Sequence, residues 1–184
     1  GANANAKAKS GFDALMMASL YYGSAPSVRL LLKAGASPAP RKGIMFNASA
    51  LMLAAMNGDG EVARLLLERG ASVTRGMNLV GFVPATPLLA ASAFEYGDMI
   101  RLLVKHGANV DELDHKKMTN ISWSALGHKN ESLQVLLELG GDPEHRDDYG
   151  LTPLRHTQGV RYMSPETAEI LKGRLKAGAA TARR

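Results

Sequence analysis

The sequence has no cysteine, few aromatic residues and no long hydrophobic run. Without cysteine, disulfides, thiol catalysis and cysteine-based zinc sites are excluded. Aromatic residues make up 5% of the chain against 46% for all hydrophobic residues, which is typical of a core packed with Leu, Ala and Met. No apolar stretch approaches the roughly 18 residues of a membrane helix, and no signal-peptide pattern is visible. These absences leave the compartment of the protein open.

Length and charge set the general class of the chain. Its 184 residues are enough for one domain with a sizeable core. Charged residues make up 21% of the sequence, a share that disfavours wholesale disorder. The formal net charge is 22 − 17 = +5, which mildly favours acidic partners but identifies none.

One phrase recurs along the chain. Its clearest copy is VARLLLERGA at 62–71, and it returns at 28–36, 100–108 and, more loosely, 133–141. A phrase that returns at a fixed interval indicates a repeat array. The glycines of this phrase follow one another after 34, 35, 37 and 33 residues: Gly1, Gly35, Gly70, Gly107 and Gly140.

A second phrase repeats in step with the first. It reads TPLLAA at 86–91 and TPLRH at 152–156, with degenerate copies at 13–18, 49–55 and 119–124. Its first buried residue recurs after 36, 37, 33 and 33 residues: Leu15, Leu51, Leu88, Ile121 and Leu154. Two independent marks therefore agree on a unit of about 33 residues.

The period and the two phrases resemble the ankyrin repeat family over nearly the whole chain. The resemblance implies an all-α solenoid of stacked helix-turn-helix units with β-turn fingers, and a non-enzymatic role in protein–protein interaction, for instance in a scaffold. Arrays this degenerate also resemble those of multi-domain bacterial proteins. We expect one domain over 1–184, divided into the tail of a preceding unit (1–7), four repeats (8–43, 44–80, 81–113 and 114–146), a C-terminal capping repeat (147–176) and a fraying basic tail (177–184).

Each unit predicts two helices with defined ends. First helices are expected at 14–21, 50–57, 87–95, 120–127 and 153–158, and second helices at 26–34, 60–69, 98–106, 130–139 and 165–176. Residues that cap helix N-termini precede the first helices: Asp13, Ser49, Thr86, Thr119 and Thr152. Glycines that can adopt the left-handed closing conformation end the second helices: Gly35, Gly70, Gly107 and Gly140.

Two fingers depart from the common spacing. The standard distance from the closing glycine to the next leucine mark is 14 residues, but it is 16 from Gly35 to Leu51 and 18 from Gly70 to Leu88. The fingers at 36–48 and 71–85 thus carry two and four extra residues, and one more is inserted near Tyr21-Tyr22-Gly23. Insertions in repeat arrays map to loops on one face, often the binding face.

The resemblance implies a concave partner-binding surface formed by the fingers and the ends of the first helices. By position it comprises Phe12, Tyr21, Met45, Phe46, Phe82, Val83, Phe94 and Lys116. Exposed apolar residues beside polar ones are typical of a protein-binding site. Alternatively, the long fingers bury their own Phe and Met, and Tyr22 caps the neighbouring groove. We interpret Trp123 as a packing residue rather than a partner anchor.

Catalytic and cofactor patterns are missing from the sequence. The five histidines lack metal-site spacing, and no phosphate loop or nucleophilic triad stands out, so neither a metal nor a cofactor is expected. Asp and Glu near 111–114 and 142–148 are interpreted as turn-forming residues. Two other functions stay open: a structural domain fixed within a larger protein or complex, and electrostatic binding of an acidic partner or nucleic acid, should the scattered basic pairs converge on one face.

Overall fold

The computed structural model describes residues 2–39, 48–74, 86–158 and 164–181. Two of the predicted fingers lie mostly outside these ranges. Within the ranges the chain forms helices and no strand, apart from an isolated bridge between Lys7 and Asp13. The helices are α1 (Ala14–Ser19), α2 (Ala25–Lys33), α3 (Ala50–Asn57), α4 (Gly60–Glu68), α5 (Pro87–Ala93), α6 (Gly97–Lys105), α7 (Asn120–Leu126), α8 (Asn130–Glu138), α9 (Pro153–His156) and α10 (Pro165–Thr181).

The helices stack in two layers. The odd-numbered helices contact one another in chain order from α1 to α9, and the even-numbered helices do the same from α2 to α10. Each odd helix also packs on the even helix that follows it. This is the all-α repeat solenoid that the spacing predicts, because each pair buries its apolar side against the next pair.

All five predicted N-caps are present. Each side chain accepts a hydrogen bond from the backbone N–H three residues later, as Asp13 does from Met16 at 2.9 Å and Ser49 from Met52 at 3.1 Å. Such a cap satisfies a donor that the first helical turn leaves unpaired and contributes about 1 kcal/mol.

The closing glycines also behave as predicted. Their φ angles lie between 80° and 93°, in the left-handed region. At Gly70 this conformation lets the N–H of Ala71 donate to the carbonyl of Leu66 at 3.0 Å, and the same bond recurs after the other three second helices. A side chain at these positions would be strained, so glycine ends the helix at low cost.

The core consists of two rows of buried aliphatic residues. Every member of both rows is at most 1% exposed, one row coming from the first helices and the other from the second: Leu15, Leu51, Leu88 and Ile121, and Val28, Ala63, Ile100 and Leu133. The next residue of the first row, Leu154, is only partly buried, so the last unit packs more loosely than the others.

Some helix bounds were predicted wrongly. The last helix does not end at 176, because α10 continues to Thr181. Conversely, α5 ends at Ala93 rather than 95, since Glu95 adopts a left-handed φ of 60°. None of the helices described here is long and apolar enough to cross a membrane.

Candidate partner-binding face

We name as the inner face the surface formed by the odd-numbered helices, the residues at their C-terminal ends and the fingers that precede them. These five helices contain no Asp or Glu, and their only ionisable residues are Arg155 and His156 in α9. Charges are instead placed on the outer helices and in the fingers. The helical part of the inner face is therefore uncharged over most of its length.

A cluster of exposed apolar side chains lies at the end of α1. Met17 is 44% exposed and Leu20 is 40% exposed, while Tyr21 and Tyr22 reach 63% and 78%. The alternative in which Tyr22 caps a neighbouring groove is therefore wrong. The next unit fixes the turn instead, because the N–H of Gly23 donates to the buried Asp59 at 2.8 Å.

Phe94 directly follows α5 and occupies the position that corresponds to Tyr21, six residues after the leucine mark. It is 52% exposed and stacks on Tyr96, with ring centroids 6.1 Å apart and planes 21° apart. Tyr96 in turn lies so close to Gly58 that a Cβ there would come within 2.9 Å of the ring. The glycine thus makes room for the ring that supports Phe94.

Lys116 is exposed and lies at the edge of the C-terminal fingers. Its ammonium nitrogen is 5.9 Å from the centroid of the Tyr149 ring. The neighbouring Lys117 pairs with Asp148 at 2.8 Å, and that hydrogen bond and charge raise the pKa of Lys117. The N–H of Asp148 also donates to the carbonyl of Lys116 at 3.0 Å. The fourth finger (residues 109–119) and the fifth finger (residues 142–152) are therefore tied together.

Carboxylates shape these two fingers, as predicted for turn-forming residues. One oxygen of Asp114 accepts from the N–H groups of Lys116 and Met118, and the other accepts from Nε1 of Trp123 at 3.0 Å. Trp123 is half-buried, and its indole N–H is hydrogen-bonded to the finger; whether it serves packing or a partner contact stays a prediction.

Asp147 repeats the arrangement in the fifth finger. It accepts from the N–H groups of Tyr149 and Leu151 and from Nε2 of His156 at 2.8 Å. Burial on its own would raise the pKa of this carboxyl, but the hydrogen bonds and the imidazole outweigh it and lower the pKa.

The eight predicted partner-binding residues fall into three groups. Tyr21, Phe94 and Lys116 are exposed on the inner face. Phe12 is partly buried and packs against the core. Four lie outside the described residues: Met45, Phe46, Phe82 and Val83. The alternative in which the long fingers bury their own Phe and Met concerns the same residues and therefore stays a prediction.

Several exposed apolar residues were not among the partner-binding residues predicted from the sequence. They are Met17, Leu113, Tyr149 and Leu151, with exposures of 44%, 48%, 67% and 37%. The last three are single apolar residues within charged or turn-forming fingers, and that isolation was a signal that could have identified them. Within the described ranges, no group of three His, Asp or Glu side chains could hold a metal ion.

Comparisons with known proteins agree with this architecture. The family model described as "Ankyrin repeats (3 copies)" matches residues 1–77, and the model described as "Ankyrin repeat" matches residues 85–115. Together they cover just under three-fifths of the chain; the first match includes Tyr21 and the second includes Phe94.

Curated relatives carry the same repeats. SH3 and multiple ankyrin repeat domains protein 2 from Homo sapiens is 36% identical over 92 residues, which are 50% of this chain. Ankyrin repeat and KH domain-containing protein mask-1 from Caenorhabditis elegans is 31% identical over 129 residues, or 68% of this chain. In each case the matched region is 5% of the relative, so this chain corresponds to a small part of a much longer protein.

Family, fold and repeat spacing lead to one conclusion. Ankyrin repeats are protein–protein interaction modules and are generally not enzymes. By its matched repeats, its capped helix pairs and its closing glycines, the chain belongs to the ankyrin repeat family.

Proposed function

We propose that this chain binds a protein partner through its inner face, with the enlarged fingers at 36–48 and 71–85 completing the contact. The observation that carries the proposal is the pair of exposed aromatic rings at matching positions, Tyr21 in the first unit and Phe94 in the third. Both lie just after helices that contain no acidic residue. Large aromatic side chains on an uncharged surface are the usual anchors of protein interfaces.

The anchors are held in place before a partner arrives. Phe94 is supported by Tyr96, and the chain after Tyr21 is fixed where Gly23 bonds to Asp59. Ordered side chains lose less conformational entropy on binding than mobile ones, so more of the contact energy remains as affinity.

Site-specific photo-crosslinking tests the proposal. A benzoyl-phenylalanine placed at position 21 or 94 should form an adduct with the same protein from the native source. Matched probes at the exposed outer positions Arg64 and Gln134 should not form it. Adducts from the outer positions alone, or none from a folded chain, would contradict the proposed face.

The long fingers need a separate test. Phe46→Ser combined with Phe82→Ser should leave the melting temperature nearly unchanged and abolish the adduct formed at position 94. A large loss of stability with the adduct intact would show that the two rings pack within the chain instead.

We also propose that residues 1–184 form one interaction domain, with the unit boundaries given above.

The alternative structural role is favoured by a specific observation. Met17 and Leu30, on the first helix pair, are 44% and 69% exposed, and the relatives are far longer than this chain. If the chain is a fixed domain of a larger assembly, it should aggregate alone and be ordered only with its neighbours. Light scattering and circular dichroism of the isolated chain distinguish the two roles.

The nucleic-acid alternative depends on three basic pairs. In the pair at 116–117, Lys117 is already paired with Asp148, and the basic pairs at 41–42 and 183–184 lie outside the described residues.

A further inference from the structure

A notch opens on the inner face between the fourth finger and helices α5 and α7. It is shallow and open to solvent on one side, with a cavity volume of about 20 Å³. Its walls combine apolar side chains with two carboxylates, a hydroxyl and an indole: Leu89, Leu113, Glu112, Asp114, Thr86 and Trp123.

Glu112 is the carboxylate whose charge is left without compensation. It is partly buried, and among the described residues it forms no ion pair. The side chain of Thr86 is near enough to lower the pKa of Glu112, against the larger effect of burial. The Thr86 oxygen also accepts from the N–H of Leu89 at 3.2 Å.

The second carboxylate of the notch is fully occupied. Both oxygens of Asp114 accept hydrogen bonds, one from the turn of the finger and the other from the indole of Trp123. That bond also fixes the orientation of the indole ring. The notch thus offers one available carboxylate beside one fixed aromatic ring.

We propose that the guanidinium of an arginine of the protein partner docks at the mouth of this notch, against Glu112 and Trp123. The inference rests on the proposed function and adds the chemistry of the partner to it. A guanidinium can form two parallel hydrogen bonds with a carboxylate and can stack on an indole, and it is more weakly hydrated than the ammonium of lysine. It is therefore the cation best suited to a half-buried acid beside an aromatic ring.

Electrostatics of the free chain supports the same assignment. Burial raises the pKa of Glu112, and the bond from Thr86 offsets only part of that effect. Desolvation disfavours the charged form of a buried carboxylate, so a neighbouring cation stabilises that form more than it stabilises an exposed carboxylate. Asp114 is the other ionisable group that lines the notch.

The combination is specific to one unit of the array. The residues at the Glu112 and Trp123 positions are Ala6 and Met17 in the first unit, and His145 and His156 in the last. An arginine seated here would fix the partner in one register along the inner face.

Trp123 makes the inference testable, because it is the single tryptophan of the chain. The chain is titrated with N-acetyl-arginine amide while the indole Nε1–H signal is followed by NMR. We expect a saturable shift with the arginine compound and none with N-acetyl-citrulline amide, which has the same shape without the charge. In Glu112→Gln the apparent affinity should fall about tenfold or more. The matched control Glu144→Gln, in the exposed part of the fifth finger, should behave as the native chain does.

Several results would overturn the inference. An equal response to citrulline, or an unchanged affinity in Glu112→Gln, would rule out recognition of the guanidinium by this carboxylate. Circular dichroism checks that each variant is folded. If Glu112→Gln fails to fold, Glu112→Asp takes its place; it withdraws the carboxylate by one methylene and should also weaken binding. Binding should also weaken as the pH falls through the pKa of Glu112, because the protonated acid carries no charge. Since no partner is needed, failure here is separate from failure of the cross-linking test.

Discussion

The two ends of the array differ in what they present to solvent. At the first helix pair, Met17 is 44% exposed and Leu30 is 69% exposed. At the last pair, α10 buries Thr167 and Leu171 against the helices before it and directs charge outward. The exposed charged side chains of α10 are Glu166, Glu169, Lys172, Arg174 and Lys176. A polar outer face is what a terminal repeat needs for solubility, so we propose that α10 caps the array.

The apolar end is explained by comparison with the internal units. Leu53 and Ala90 occupy the position of Met17 in the next two units, and they are 4% and 6% exposed. Leu65 stands in the place of Leu30 and is partly buried. The residue types are alike, and the preceding helix pair makes the difference. Burial in a solenoid therefore depends on neighbours rather than on the residue alone.

The largest effect is expected where that comparison is sharpest. Leu53→Ala should lower the free energy of unfolding by about 2–5 kcal/mol, because it leaves a cavity between packed helices. Met17→Ala, at the same position in the first unit, should cost less than about 1 kcal/mol, since much of that side chain is already in solvent. Chemical denaturation of both variants provides the measurement. Equal losses would show that Met17 is covered in solution.

A medium effect is expected at the capped end. Asp147 is fully buried at its side chain and holds the fifth finger. Its lowered pKa means that its contribution to stability is complete above the ordinary value of 3.8 and is lost as the pH falls through the lower folded value. Asp147→Asn should cost about 1–3 kcal/mol near neutral pH and should flatten the acid limb of the stability curve.

Hydrogen exchange along the chain locates this loss. In the native chain we expect amides of the fifth finger and α9 to lose protection below about pH 4 before those of α3 to α6 do. Simultaneous loss of protection throughout the chain would argue that the capped end has no separate dependence on Asp147.

The smallest effect is expected at the helix caps. Thr119→Ala, at a fully buried cap, should cost about 1 kcal/mol, and Asp13→Ala, at a half-buried one, should cost less because water can replace the lost acceptor. Thermal denaturation with Thr119→Ser as the matched control checks this, since serine keeps the hydroxyl. A larger loss for Asp13→Ala would show that burial of the cap does not set its contribution to stability.

Local features of the fold were predictable from the sequence. Caps such as Ser49, and closing glycines such as Gly70, depend on bonds within four or five residues, and those bonds follow from residue type and spacing. The candidate site was predictable only in part. Tyr21 and Phe94 were expected by register to be exposed, and they are. The exposed ring of Tyr149 was missed, because its isolation among turn-forming residues is a weaker signal than register.

The sequence by itself determined the period, the order of the helices and the ends of most of them, because these depend on hydrogen bonds and apolar spacing within one unit. The tertiary structure decided what separate units do to one another. It left Met17 in solvent while it buried Leu53, and it brought Glu112 to Thr86 and Trp123 to Asp114. Such contacts depend on how side chains from different turns and helices meet in space, and local spacing carries no record of that.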